Sequence, residues 1–218
     1  MSTNHRVPDL SKRSFARTNR QTIHQRVALL RELLPTTRSI AEICCGDCAQ
    51  QWEAYRQLPS FERYRGLDIH PDIVAANEAQ GIDCVRGDAM DPTALAQFLA
   101  FDVIFFGPPL SVDCDGHSLL EFRQVVPGFD DFLRLLLGEL DYDGTLVTIC
   151  PKGTNMGDVR RLYQQIREVR DDVGLRLIHY SVATLTGHGE VTEPRLKYVE
   201  LWFSSQLDDA WEVRTSAP

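Results

Sequence analysis

Apolar residues in this chain come in short runs that alternate with stretches of helical periodicity. Five runs have the length and composition of buried strands, and each is followed by a segment with polar and apolar residues at helical spacing. This alternation predicts an α/β fold: an open, mostly parallel, doubly wound sheet with helices on both faces. The predicted strands are Ser39–Cys44, Tyr64–Ile69, Ile82–Val85, Phe101–Phe106 and Thr145–Cys150, and the predicted helices are Gln50–Gln57, Pro71–Gln80, Pro92–Leu99, Phe129–Leu140 and Asp158–Val169.

The two ends of the chain depart from this alternation. Thr22–Leu34 has apolar residues three and four apart and ends before Pro35, which predicts an amphipathic helix. Leu175–Ala183 and Lys197–Ser204 are strand-like without a helix between them, so we expect a C-terminal antiparallel hairpin. The chain is thus divided into a basic helical segment (1–38), the α/β domain (39–204) and a surface tail (205–218).

Composition places the chain among globular proteins of one domain. It has 218 residues, of which 43% are hydrophobic and 25% charged. Its apolar runs are far shorter than the roughly 18 residues that span a bilayer, and its first ten residues are polar, so neither a membrane span nor a signal peptide is predicted. Its six cysteines lack the spacing of a disulfide framework. We therefore expect a reduced, cytoplasmic protein.

Charge is unevenly distributed along the chain. The formal net charge is −8, yet residues 1–38 hold eight basic and two acidic residues. Two interpretations stay open: a basic arm that contacts an anionic partner such as a nucleic acid, or a basic segment that folds against, or dimerises with, the acidic remainder.

The loop after the first strand, from Glu42 to Cys48, is where an open α/β sheet usually binds its ligand. Gly46 is the one glycine of this loop, whereas a dinucleotide fold needs three glycines to bring its backbone against a pyrophosphate. A nicotinamide cofactor is therefore disfavoured, and a smaller nucleoside cofactor is preferred.

Glu42, Cys44 and Gly46 match the acidic-x-(Gly or Cys)-x-Gly motif of the class I S-adenosylmethionine-dependent methyltransferases, which this loop resembles; Cys48 occupies the position of the last glycine. The resemblance implies an S-adenosylmethionine cofactor bound by these four residues. In that family, acidic residues after the next two strands contact the ribose and the adenine amino group. Here they are Asp68, with Ile69 beside it, and Asp88, with Ala89 beside it, and Phe106 completes the expected cofactor site.

After the fourth strand comes the sequence Gly107-Pro108-Pro109-Leu110. It resembles the (Asp/Asn/Ser)-Pro-Pro-aromatic motif of the methyltransferases that modify amino groups of nucleic acids. The resemblance implies backbone carbonyls that accept hydrogen bonds from the acceptor amine. The sequence departs from the motif at both ends, because Gly107 has no side-chain acceptor and Leu110 has no aromatic ring to stack on a base.

Polar residues come directly after this motif. Asp113 and His117 are the candidates for taking a proton from the acceptor. The alternative is that this stretch is structural, with Asp115-Gly116 as an ordinary turn and Ser118 as a helix N-cap whose capping box Glu121 completes. A second wall of the substrate site is expected from the 184–195 loop and the start of the next strand, with His188, Glu190, Arg195 and Lys197.

The predicted function is methyl transfer from S-adenosylmethionine to a nucleic acid, with RNA as one candidate acceptor. A small-molecule or protein acceptor and a catalytically inactive, cofactor-binding partner or sensor remain alternatives. No metal site is predicted, since Cys45-x-x-Cys48 has no second ligand pair at the spacing of a zinc site. The acceptor atom and the oligomeric state stay open.

Overall fold

The computed structural model describes residues 20–108, 128–151, 154–182 and 195–216. They form one eight-stranded sheet with helices on both faces, in the strand order β3-β2-β1-β4-β5-β7-β6-β8. The helices are α1 (Arg20–Leu33), α2 (Ala49–Tyr55), α3 (Pro71–Glu78), α4 (Pro92–Ala96), α5 (Phe129–Leu133), which continues as a π-helical segment over Arg134–Glu139, and α6 (Met156–Val169). The strands are β1 (Ser39–Ile43), β2 (Arg63–Asp68), β3 (Cys84–Arg86), β4 (Val103–Phe106), β5 (Thr145–Pro151), β6 (Gly174–Val182), β7 (Arg195–Ser204) and β8 (Ala210–Ser216).

Strands β1 to β5 pair in parallel, and β7 runs antiparallel to both of its neighbours, β5 and β6. The doubly wound, mostly parallel sheet and the C-terminal antiparallel hairpin predicted from the sequence are confirmed. The strand order reverses between β1 and β4, which both lie at the centre of the sheet. In open α/β sheets, ligands bind beside the carboxyl ends of the strands at such a switch point.

The core has two layers because side chains alternate between the faces of each strand. One face carries Ile43 and Phe106 and packs against α4, α5 and α6. The other carries Ile40 and Phe105 and packs against α1, α2 and α3. Helix α1 belongs fully to this second layer, since Ile23, Val27, Leu29, Leu30 and the following Leu34 are all buried.

The direction of α1 matters for the site. Its last turn is joined by a short loop to the start of β1, whereas Arg26, halfway along, lies within 3.7 Å of Glu42 near the end of β1. The helix therefore runs antiparallel to β1. Arg20 lies six residues before Arg26, about 9 Å further toward the carboxyl edge of the sheet. Residues 1–19 consequently join the described structure at the edge where β1 ends.

The C-terminal segment differs from the surface tail predicted for residues 205–218. It contains β8, which pairs in parallel with β6 at the edge of the sheet. The apolar–polar alternation in this strand covers only Trp211–Arg214, which is too short to distinguish the strand from a tail in the sequence. The connection from β7 to β8 crosses closely over Gly174, where a β-carbon would lie 2.1 Å from the carbonyl oxygen of Leu207.

Candidate cofactor and acceptor site

The loop after β1 is a tight turn that contains two residues in the left-handed conformation. Cys44 has φ 59° and Gly46 has φ 55°. Glycine adopts this conformation freely, but a side chain at Cys44 makes it strained by about 1–2 kcal/mol. The position that the sequence motif leaves open to glycine or cysteine is therefore one where the backbone itself favours glycine.

Asp68 fastens this loop to the end of β2. Its Oδ2 accepts a hydrogen bond from the backbone N–H of Gly46 at 3.0 Å, and its Oδ1 accepts one from the N–H of His70 at 2.9 Å. The loop is held further by the N–H of Cys45, which donates to the carbonyl of Leu67 at 3.0 Å. The end of β2 thus positions the turn after β1 through both backbone and side chain.

Asp88 lies on the same edge of the sheet. Its side chain is exposed and accepts a hydrogen bond from the N–H of Met90 at 2.9 Å. Burial raises the pKa of the Cys44 thiol well above its ordinary value, and the negative charges of Asp68 and Asp88 raise it further. Asp68 ends β2 and Asp88 follows β3, so both lie on the side of the sheet where β1 ends.

Glu42 lies elsewhere. Its side chain points to the α1 face of β1, where the hydroxyls of Tyr55 and Tyr64 donate to its two oxygens at 3.0 and 2.9 Å. Arg26 is 3.7 Å away and also binds Glu200, donating from Nε and Nη2 at 3.0 and 2.6 Å. The three carboxylates, which were expected to converge on one cavity, therefore do not lie together: Asp68 and Asp88 lie on one side of the sheet at the strand ends, whereas the Glu42 side chain is buried on the α1 face. We name the buried group around Glu42 the Arg26 cluster (Arg26, Glu42, Tyr55, Tyr64, Glu200).

The remaining expected cofactor residues lie at different depths. Ile69 is 39% exposed, directly beside Asp68. Ala89 is buried, and the ring of Phe106 is fully buried, stacked on Phe132 with 3.7 Å between ring centroids. Cys48 is buried at the start of α2, so its side chain packs inside the protein. Among these four, Ile69 offers the most side-chain surface to a ligand.

Asn77, on α3, also holds this loop, and the sequence did not predict its role. Its Nδ2 donates to the carbonyl of Gly46 at 2.8 Å, and its Oδ1 accepts from the N–H of Cys48 at 3.5 Å. The signal available in the sequence was a polar residue on the same helical face as Ile73 and Val74. The Sγ atoms of Cys45 and Cys84 lie 3.6 Å apart beside it.

The residues after β4 begin directly beside this loop. The N–H of Gly107 donates to the carbonyl of Ile43 at 3.1 Å, and a β-carbon at Gly107 would lie 4.0 Å from the carbonyl oxygen of Cys44. Pro108 is buried. Pro109, Leu110, Asp113 and His117 lie outside the described residues, as do His188 and Glu190, while Arg195 and Lys197 are part of β7.

Within the ranges that the structure describes, no group of three or more histidine, cysteine or acidic side chains is arranged to hold a metal ion. The cysteines in those ranges are all free thiols. None of the helices there combines the length and apolarity that crossing a membrane requires.

Comparison with solved structures identifies the fold. The methyltransferase domain of bacterial CtHen1 superposes with a TM-score of 0.57 and 11% identity, covering 85% of this chain and 98% of that domain. A SAM-dependent methyltransferase from Archaeoglobus fulgidus gives 0.53 and 13%, covering 85% and 94% of the two chains. The chain has the SAM-dependent methyltransferase fold.

A third methyltransferase structure, the plantazolicin methyltransferase BpumL in complex with SAH, gives a TM-score of 0.53 and 12% identity and covers 83% of this chain and 81% of that one. No protein-family model and no curated protein matches the chain. The methyltransferase fold expected from the Glu42–Cys48 loop is therefore confirmed by three-dimensional similarity in the absence of a sequence match.

The strain at Cys44 yields a prediction for stability. Replacing Cys44 by Gly should give a more stable protein than replacing it by Ala, by about 1 kcal/mol, because both changes remove the thiol and only glycine relaxes the left-handed backbone. Urea unfolding of the two variants measures the difference. Cys150, in β5, is the matched control, since there the Ala variant should be more stable than the Gly variant by about 0.5–1 kcal/mol. The same order at both positions would contradict the assigned strain.

The Arg26 cluster yields a prediction for pH dependence. Burial raises the pKa of Glu42 above the ordinary 4.5, and this outweighs the opposing effects of Arg26 and the two tyrosines. The folded state therefore holds a proton that the unfolded state releases above about pH 4.5, so the Glu42 contribution to stability falls as the pH rises.

The free energy of unfolding of the native chain, relative to that of Glu42→Gln, should accordingly decrease from pH 4 to pH 8. Urea denaturation at a series of pH values measures it. Glu62→Gln, at an exposed carboxylate paired with Arg38, is the control. A difference that grows with pH would show that Glu42 is ionised and stabilised by Arg26.

Proposed function

We propose that this chain is an S-adenosylmethionine-dependent methyltransferase that methylates a nucleic acid. The observation that carries the proposal is the pairing of Gly46 with Asp68 at the switch point of a methyltransferase fold. A β-carbon built at Gly46 would meet no atom within 4 Å, so the backbone borders open space there. A carboxylate lies directly beside it, bound to its N–H.

The residues around this space fit a nucleoside. Each oxygen of Asp68 accepts one backbone hydrogen bond and keeps capacity for another, which suits two ribose hydroxyls. The half-exposed, apolar side chain of Ile69 suits the face of a base, and the exposed carboxylate of Asp88 suits its exocyclic amine. Glu42, engaged in the Arg26 cluster, would act on this site by positioning β1 rather than by contact.

The cofactor would supply an electrophilic sulfonium methyl group. Because in-line transfer of such a group depends mainly on positioning, the task of this chain is to hold the acceptor beside the cofactor loop. Gly107 and Pro108 lie there, and the carbonyls of this segment are proposed to accept hydrogen bonds from the acceptor amine. His117 or Asp113 is proposed to take the proton that the amine loses.

The direction of α1 supports a polyanionic acceptor. Residues 1–19 contain four basic residues and one acidic residue, and they join α1 at the edge of the sheet that carries Gly46 and Asp68. A basic arm attached at that edge suits the phosphates that flank a target base. Arg26 is excluded from this role, because it is buried against Glu200.

A small-molecule acceptor is the second candidate. The absence of a side-chain acceptor at Gly107 and of an aromatic ring at Leu110 favours it, since both groups would help to bind an extruded base. Transfer of a tritiated methyl group into cell extract fractionated into RNA, DNA, protein and metabolites decides between the two. Label in the metabolite fraction alone would overturn the nucleic-acid acceptor, and label in no fraction would favour an inactive binding protein.

Cofactor binding at Gly46 has a matched control in the chain. Gly81 is also left-handed, with φ 75°, and also faces open space, but it lies in the turn after α3. Gly46→Ala and Gly81→Ala should therefore cost similar stability, about 1–2 kcal/mol each. Gly46→Ala alone should weaken binding of S-adenosylhomocysteine, by roughly tenfold, or about 1.4 kcal/mol. Calorimetric titration of both variants measures this difference. Equal affinities would show that the cofactor does not bind beside Gly46.

The basic arm yields a prediction for salt dependence. Binding of a single-stranded RNA should weaken with salt, and Arg13→Gln with Arg17→Gln should reduce the log–log slope by about 1.4, or about 0.7 for each phosphate that is no longer neutralised. Arg31→Gln with Arg38→Gln is the control, because these residues flank the opposite edge of the sheet. Fluorescence anisotropy at several salt concentrations measures the slopes. Equal slopes for both double variants would leave the arm without a role in binding.

A further inference from the structure

Strand β8 forms one edge of the sheet. It has seven residues, Ala210–Ser216, and among the described elements its strand partner is β6 alone. An edge strand presents a row of backbone N–H and C=O groups to any strand that approaches it, and proteins usually guard such edges with charges, prolines or bulges.

This edge strand carries two exposed apolar residues beside its charged ones. Trp211 and Val213 are each 64% exposed, and they lie on the same face because side chains alternate along a strand. The ring of His179 lies 5.2 Å from that of Trp211 and leaves most of it uncovered. The charged residues Glu212 and Arg214 alternate with them and point to the other face.

We propose that β8 pairs with β8 of a second copy of this chain, antiparallel and about a two-fold axis that passes through Val213 perpendicular to the sheet. The two sheets would join into one across this interface. Such an isologous contact uses the same strand twice and leaves no further edge of that kind exposed.

The charges select this register. Pairing centred on Val213 places Glu212 of each copy opposite Arg214 of the other, which gives two cross-strand pairs of opposite charge. Pairing centred on Glu212 or on Arg214 would instead place like charges directly opposite each other. Within one copy, Arg214 bridges Glu212 and Glu32, with nitrogen–oxygen distances of 2.6 and 3.0 Å, so both side chains are held in place at the edge.

The apolar residues agree with the same register. Val213 would lie opposite its own copy, and Trp211 would lie diagonal to it on the same face, within reach of a long aromatic side chain. Two tryptophans and two valines would therefore form one continuous apolar patch. Because β8 is five positions away from β1 in the strand order, the pairing would leave the site at Gly46 unobstructed.

Sedimentation velocity of the full chain over a wide concentration range tests the proposal. We expect a monomer–dimer equilibrium that Val213→Lys abolishes, because it places two ammonium groups opposite each other. Val169→Lys is the matched control: Val169 is 60% exposed on α6, and its variant should dimerise like the native chain. A native chain that stays monomeric would overturn the proposal, as would a dimer that persists in the Val213→Lys variant.

Charge exchange tests the register. Glu212→Arg and Arg214→Glu should each prevent dimerisation alone, and mixing the two variants should restore it, because each arginine then faces a glutamate across the interface. Failure of the mixture to dimerise would overturn the register. Binding of S-adenosylhomocysteine should be the same in the native chain and in Val213→Lys, so this test is independent of the proposed function.

Discussion

A single buried guanidinium, that of Arg26, connects helices α1 and α2 with the sheet. Arg26 reaches from α1 to Glu200 on β7 and to Tyr55 on α2, and its charged end lies 4.4 Å from the centre of the Phe105 ring. Glu42, on β1, shares the same cluster. Burying a charge is costly unless its partners are close and well oriented, so these contacts define one relative position of helix and sheet.

That position determines where the amino-terminal arm joins the protein. Without the Arg26 cluster, the position of α1 on the sheet would depend on its apolar residues and on more exposed contacts such as the Glu32–Arg214 ion pair. Burial raises the pKa of Glu42, against the opposing effect of Arg26. The cluster therefore has a positioning role: it fixes where α1 lies relative to the end of β1 and to the turn that follows β1.

The strained turn after β1 is maintained from three sides. Asp68 binds the N–H of Gly46, Asn77 binds its carbonyl, and Leu67 receives the N–H of Cys45. These contacts compensate for the left-handed conformation of Cys44. A site maintained in this way is formed before any ligand arrives, which lowers the entropic cost of binding.

Much of this architecture follows from the sequence, because short apolar runs alternating with helical periodicity leave few arrangements other than a doubly wound sheet. The placement of Asp68 and Asp88 on the same side of the sheet was also predictable, since the carboxyl ends of parallel strands meet on one side. Glu42 was not, because its position in the motif says nothing of the face to which its side chain points. Its partners Arg26 and Glu200 are separated from it by loops and strands, and the apolar–polar alternation of β8 covers only Trp211–Arg214, too few residues to distinguish an edge strand from a surface tail.

The parallel pairing of β8 with β6 has one more consequence. Because β6 runs in the same direction as β1, Ser216 lies at the carboxyl edge of the sheet, the edge from which α1 also begins. The close passage over Gly174 leaves little freedom to shift this strand. A domain fused after Ser216 would therefore lie on the same side of the sheet as the Gly46 loop, although five strands away from it, whereas an insertion in the Gln57–Glu62 connection would lie on the opposite side.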